Sequence, residues 1–271
     1  MTDPVRIAVI GGSGLYSLFD DPERVEVDTP YGAPSDAITI GELAGRRVAF
    51  LPRHGAGHRF APHRINARAN IWALAHLGVR AIVSSSAVGG LDPAIRPGDL
   101  VLPAQLIDRT WGREDTFFDE NVQHLPAADP FDPRLRGLAA AALRAAGERP
   151  VEEATTVVVQ GPRFSTRAES RWYRAAGAHI VNMTQYPEAV LAAELGIGLV
   201  ALSFVTDTDA DVDEAGAPTA DAADAELVLR RMAEAAPRIR AAIAAIVGAI
   251  PADHPGRPLL PAAAVATVLA R

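Results

Sequence analysis

Apolar positions along the chain gather into short runs rich in Val and Ile, separated by turns containing Gly, Pro or Asp, which is the pattern of strands. Such runs predict strands over 6–10, 37–40, 47–51, 81–84, 99–102, 155–160, 179–182 and 199–205. Several are apolar at consecutive positions rather than alternating ones, which places them in a sheet covered on both faces. Helical spacing appears over 65–77, 133–146, 166–176 and 187–195. A longer helix is expected to start near Asp221 or Asp224, because Val228, Leu229, Met232, Ile239, Ile243, Ile246 and Ile250 follow at intervals of mostly three and four. Strands alternating with helices make the fold class α/β. From Pro251 onward the chain is rich in proline and then briefly apolar, and it is expected to form a tail, about 251–271, lying on a neighbour.

Composition narrows the picture. The chain has 271 residues, 49% of them apolar and 22% charged, enough for a sizeable core, and no repeat or linker divides it, so one domain over 1–271 is expected. No apolar run reaches the length of a membrane span and the N-terminus shows no leader pattern, which points to a soluble, cytoplasmic protein with no membrane partner. A net charge of −7 argues against a nucleic-acid partner held by counterion release. There is no cysteine, so thiolate nucleophiles, Cys-ligated metals and disulfides are excluded. There is no lysine either: all 26 cationic side chains are arginine, so Schiff-base chemistry and a Walker-type loop are excluded, and an anion must be met by Arg, His, hydroxyls and backbone N–H groups.

Six segments carry candidate chemistry. The first, IGGSG at 10–14, runs from a strand into glycines with Ser13 as a hydroxyl donor; it lacks the G-x-G-x-x-G of a dinucleotide fold and is either a small phosphate loop or a tight turn. In the second, Arg53 and His54 stand at a strand end, a guanidinium fork and an imidazole suited to an oxyanion. The histidines at 54, 58 and 63 lie across a Gly-rich loop with no carboxylate, a poor pattern for metal. The third, SSSAVGGL at 84–91, offers hydroxyls and glycines directly after a strand, where α/β sheets place ligands. The segments around Phe164 and Met183 offer a flat apolar ring and a polarizable thioether, for a ligand or for the core. In the sixth, Asp207 and Asp209 follow a buried strand two residues apart, on the same side if the extension persists.

Taken together, the strings IGGSGLY, TPYGAPSDAI, RHGAGHRFAPHRINARANIWAL, SSSAVGGLDPAIRPGDLV, IDRTWGREDTFFDE, HLPAADPF, GPRFSTRAES, NMTQYPEAVLAAELG and TDTDAD resemble the trimeric purine nucleoside phosphorylases, in particular the 5′-methylthioadenosine phosphorylase branch, in the family's order from about residue 7 to 229. The resemblance implies a single-domain αβα fold around a mixed central sheet, assembled as a homotrimer. It implies that Ser13, Arg53, His54, Ser86, Ala87 and Thr184 surround phosphate, that Met183 lies under the ribose, and that Phe164 and Ser165 meet the purine. Asp207 and Asp209 would face N7 and the 6-amino group, Ala225, Val228 and Leu229 would lie beside the 5′-substituent, and His124 would reach the adjacent subunit's site. The chain departs from the family's pattern in having Ser13 and Ser86 where threonine is common, Gln185 where threonine is frequent, and a SAVGGL loop closer to the 6-oxopurine branch.

An N-glycosidic bond breaks readily when the departing purine accepts a proton and the sugar's positive charge is offset, so one acid and one bound anion suffice. Asp207, raised by burial and by nearby Asp209, is expected to supply the proton, and phosphate to supply the anion and add at C1′; no metal or organic cofactor is expected. The expected reaction is phosphorolysis of a 6-aminopurine nucleoside, 5′-methylthioadenosine first, with 6-oxopurine nucleosides or other 5′-modified adenosines as alternatives. A nucleosidase using water would not need Arg53 and His54 together, and a non-catalytic nucleoside-binding protein would not need the paired carboxylates.

Overall fold

The structure is a computed structural model that describes residues 5–210 and 219–271. Ten strands form one mixed sheet: β1 (Ile7–Gly11), β2 (Glu23–Val25), β3 (Ile38–Leu43), β4 (Arg46–Pro52), β5 (Ala81–Gly90), β6 (Leu100–Val101), β7 (Gln105–Arg109), β8 (Thr155–Val159), β9 (Ile180–Asn182) and β10 (Gly198–Asp207). Their order is β2-β3-β4-β1-β5-β9-β8-β7, with β10 paired to β5 and β6 off this path. The centre, β4-β1-β5-β10, is parallel, and it is here that Val and Ile occupy successive positions, all five residues of β1 being buried.

Six helices cover the sheet: α1 (Ala67–His76), α2 (Pro133–Ala145), α3 (Arg167–Ala175), α4 (Gln185–Glu194), α5 (Ala225–Ala249) and α6 (Ala262–Leu269). Their starts are written locally. Asp132 accepts from the Arg134 and Leu135 amides ahead of Pro133, Asp224 accepts from Glu226 and Leu227, and Thr166 with Glu169 forms a reciprocal capping box. One face of the sheet packs on α1, α4 and α6, around Ile10, Ile82, Trp72 and Leu191; the other packs on α2 and α5, around Val9, Val83, Leu143 and Ile243.

Three expectations are corrected. The polar edge strands β2 and β7 were not anticipated, because ERV and QLIDR are largely exposed and carry little apolar signal. Residues 84–90 do not leave the sheet as a turn: β5 continues through them, since small side chains let β10 stay paired as far as Gly89 and β9 pair at Gly89 and Gly90. The C-terminal tail also packs on its own chain. It ends in α6, whose Val268 is buried in this chain's own core and whose Val268 carbonyl accepts from Trp72 Nε1 at 3.1 Å.

Removing residues 261–271 strips Val268 from the core and leaves the Trp72 indole N–H without its acceptor. Each loss costs about 1–3 kcal/mol, so the truncated protein should unfold at lower denaturant than the full chain while keeping most of its helical circular dichroism below the transition. An unchanged midpoint would show that α6 is ornamental.

Candidate active site

The carboxyl ends of β4 and β1 meet the middle of the adjacent parallel strand β5 on one side of the sheet: β4 delivers Arg53 and His54, β1 delivers Gly12 and Ser13, and β5 delivers Ser84 to Ser86. In open α/β sheets this is where ligands sit. A cavity of about 650 Å³ lies over them, lined by Ser13, Arg53, His54, Ser86, Ala87, Met183, Thr184, Phe164, Ser165, Asp207, Asp209, Ala225, Val228 and Leu229. All the sequence-expected site residues thus converge on one space except His124, which is exposed and outside this chain's own cavity.

Gly12 has a steric reason to be glycine: a Cβ there would come within 2.6 Å of the Ser85 carbonyl oxygen and 2.9 Å of Arg53 Nη1. The loop therefore rests directly on the guanidinium. Arg53 is buried, and its roles differ from those expected. Its Nε and Nη2 donate to the two oxygens of Glu188 at 2.7 and 3.0 Å, Nη2 also donates to Ser84 Oγ at 2.7 Å, and Nη1 donates to the Ser85 carbonyl at 2.9 Å. Four of five N–H groups are committed, so the bidentate edge grips Glu188 rather than an incoming anion, and one Nη1 hydrogen remains for the cavity.

His54 also differs from expectation. Burial pushes it down to about 4, helped by the Arg53 charge, although the Phe60 carbonyl opposes the shift. That carbonyl can only accept, so at 2.8 Å Nδ1 carries the ring's proton and Nε2 is a bare acceptor in the neutral ring. The Nε2 of His54 can therefore accept from a ligand hydrogen or take up a proton, but it is not a standing donor. Its face stacks on His58, centroids 3.9 Å apart, and His58 Nδ1 lies 3.1 Å from the Tyr16 hydroxyl. Tyr16 and His58 both line the cavity and were missed, Tyr16 because nothing but its place in IGGSGLY marked it.

Thr184 is held by Asn182, whose Oδ1 accepts from the Thr184 and Gln185 amides at 2.7 Å each. Met183 lies against Gly161, where a Cβ would stand 2.6 Å from its sulfur.

At the far end of the cavity, Asp207 closes β10 and is buried, like Asp209. The extension does not persist between them: β10 shifts register after Val205 and Asp209 takes a φ of 51°, so both side chains reach the cavity through a kink, with the Asp209 amide donating to Asp207 Oδ1 at 2.9 Å. Thr206 Oγ1 donates to Asp207 Oδ2 at 2.8 Å. Burial nevertheless raises Asp207 to about 6, with the Asp209 charge adding to the rise and the two hydrogen bonds and Arg231 opposing it. Burial raises Asp209 as well, against the nearby hydroxyls of Ser165 and Ser170. Asp209 Oδ2 and Ser165 Oγ are both buried and lack a hydrogen-bond partner among the described residues, so each has capacity for a ligand. The final Asp211 of TDTDAD lies outside the described residues. In the sequence Gly89 is marked only as one of the small residues after a strand; a Cβ on it would stand 2.7 Å from Asp207 Oδ1, so glycine makes the space the carboxylate occupies. Among the described residues no group of three His, Asp or Glu side chains could hold a metal ion.

Residues 6–248 match the model of the phosphorylase superfamily. The chain belongs to this superfamily. It is similar to a purine nucleoside phosphorylase of Streptomyces coelicolor, 50% identical over 92% of this chain and 90% of that one, and to an S-methyl-5′-thioadenosine phosphorylase of Mycobacterium tuberculosis, 54% identical over 76% of each. Its fold is that of a methylthioadenosine phosphorylase from an antarctic soil metagenomic library, with a TM-score of 0.85 and 41% identity over 99% of both chains. The α/β sheet expected from the sequence is therefore the superfamily's.

A raised carboxyl pKa means that the folded state holds the proton more tightly than the unfolded one. Ionised Asp207 consequently opposes folding, with stability falling as pH rises from about 4 to about 6. Asp207→Asn should raise stability near pH 8 by roughly 2–3 kcal/mol, a gain that fades below about pH 4. Urea unfolding of both proteins across that range checks it, and a variant less stable at pH 8 would contradict the shift.

Proposed function

We propose that the protein catalyses phosphorolysis of the N-glycosidic bond of a 6-aminopurine nucleoside, converting 5′-methylthioadenosine and phosphate to adenine and 5-methylthioribose 1-phosphate. The observation that carries this reading is the presence, in one apolar cavity, of an anion corner at the strand ends and a buried, protonatable Asp207 at the other end. Protonated Asp207 gives its proton to N7 as the C1′–N9 bond breaks, the bonding pair leaves with adenine, and a phosphate oxygen forms the new bond at C1′ from the opposite face. Ser13, Ser86, Thr184, the remaining Arg53 hydrogen and the Ala87 segment surround the phosphate. Met183 lies under the ribose and Phe164 against the purine. The unpartnered Asp209 Oδ2 and Ser165 Oγ take the purine's polar edge, which favours an amino donor at position 6.

Val228 and Leu229, with Ala225, form an apolar wall for the 5′-methylthio group. Leu229 is 50% exposed and Phe164 is 36% exposed, an open apolar rim suited to cover by a second copy. The assembly proposed is a homotrimer in which His124 serves the adjacent site. Phosphate is a co-substrate, with no metal or organic cofactor, and the reaction belongs to purine and methionine salvage in the cytoplasm. No helix among the described residues is long and apolar enough to cross a membrane. A second reading, a preference for 6-oxopurine nucleosides, is favoured by the SAVGGL segment.

Three experiments test the proposal. A panel of methylthioadenosine, adenosine, 5′-deoxyadenosine, methylthioinosine and inosine, with and without phosphate, should give fastest base release from methylthioadenosine and only when phosphate is present. Faster cleavage of methylthioinosine would transfer the assignment to the second reading. Asp207→Asn should lower methylthioadenosine turnover by about 10²–10⁴-fold and favour inosine-type substrates in relative terms. Gly89→Ala, which displaces the same carboxylate without removing it, should lower kcat/KM at least tenfold, and a variant with wild-type turnover would take Asp207 out of the chemistry.

A further inference from the structure

Gln185, at the start of α4, is 1% exposed and does not line the cavity, yet it touches a residue that does. Its Nε2 donates to Ser203 Oγ at 2.8 Å and to Ser86 Oγ at 3.3 Å, and the two serine oxygens, paired in register across β10 and β5, are 3.4 Å apart. Gln185 Oε1 is buried with no hydrogen-bond partner among the described residues. As placed, the amide turns its N–H₂ toward two hydroxyl oxygens that can both accept, and leaves its carbonyl, the group more often found under-satisfied, as the unpaired end. The donor end of Gln185 therefore faces the serines.

This orientation sets the polarity of the whole cluster. An amide N–H₂ can only donate, so both hydroxyl oxygens accept from Gln185 and each keeps its own hydrogen to give. Ser203 is fully buried and off the cavity, and its hydrogen has Ser86 Oγ as the acceptor on the strand beside it. Ser86 Oγ then accepts twice, which fills its lone pairs. Its own hydrogen is then left to give to an acceptor in the cavity, which Ser86 lines.

We propose that Gln185 is a positioning residue that fixes the Ser86 hydroxyl as an obligate donor toward the phosphate oxygens, so that this wall of the cavity accepts a ligand atom only if that atom can receive a hydrogen bond. The inference rests on the phosphorylase reading of the cavity. It gives the one departure at position 185 a task, and it explains why so polar a side chain is held under the anion corner with its own oxygen unpaired.

The test separates phosphate binding from nucleoside binding in the full-length enzyme. Gln185→Leu, which keeps the bulk and removes the donor, should raise the phosphate KM about tenfold while the nucleoside KM stays within about twofold. In a double-mutant cycle it should add little to Ser86→Ala, because both act on one hydrogen bond. Gln185→Glu keeps the shape but turns acceptors toward the serines, and should raise the phosphate KM further. Should Gln185→Leu fail to fold, Ser203→Ala removes the second donor to Ser86 at small volume change and should raise the phosphate KM several-fold. An unchanged phosphate KM in a folded variant, equal shifts in both KM values, or full additivity with Ser86→Ala would overturn the inference while leaving the phosphorylase reading intact. A wild-type rate that does not depend on phosphate would overturn both.

Discussion

The buried ion pair between Arg53 and Glu188 is the constraint around which the cavity is arranged. Both charges lie out of water, and a charge in that position is tolerated only when its hydrogen-bonding capacity is filled. Glu188 receives two bonds from the guanidinium and one from Ser84 Oγ, at 2.5 Å. The three partners come from the end of β4, the middle of β5 and the first turn of α4, so satisfying one charge fixes three elements relative to one another. Removing either partner alone would leave an uncompensated buried charge, a loss of about 3–5 kcal/mol. The pair is thus as much a condition for the sheet's carboxyl edge as a feature of the site.

The two ends of the cavity are prepared for opposite tasks by the same low-dielectric surroundings. At one end a cation is neutralised by a carboxylate, and the hydroxyls, amides and one spare guanidinium hydrogen left over supply directed donors without excess charge. At the other, burial without a cationic partner at contact distance raises Asp207 to about 6, so that a fraction of it keeps its proton as neutral pH is approached. An anion attracted to the first end would be repelled by an ionised Asp207, so under the proposed reaction the raised pKa would favour binding as well as proton transfer.

Much of the frame was legible in the sequence because local rules acted unopposed. Val/Ile runs marked the central strands, and apolar spacings of three and four marked the helices over 133–146 and 166–176 and the long one starting near Asp221 or Asp224. What escaped notice depended on distance along the chain or on absent contrast. Arg53 looked like an anion ligand because its carboxylate partner is 135 residues away. His54 looked like a donor because only folding places the Phe60 carbonyl against Nδ1. The strands β2 and β7 have too few apolar residues to announce themselves, and α6, almost wholly Ala and Val, has no polar face to reveal its orientation. Serines 84–86 seemed to end a strand, whereas in a ladder closed on both sides their small size is what lets the strand run on.

The pairing of β5 with β10 has a consequence for how the reaction's geometry is set. Ser86 lies opposite Ser203, and Gly89, three residues further along β5, lies opposite Asp207, the shift in β10 falling between Val205 and Asp207. At about 3.3 Å per residue, the anion corner and the acid are held roughly 10 Å apart along one continuous strand. A ladder of backbone hydrogen bonds is among the stiffest rulers a protein can build, and its spacing changes little with temperature or with side-chain motion. The distance that the substrate must span between its two chemical ends is therefore gauged by backbone register.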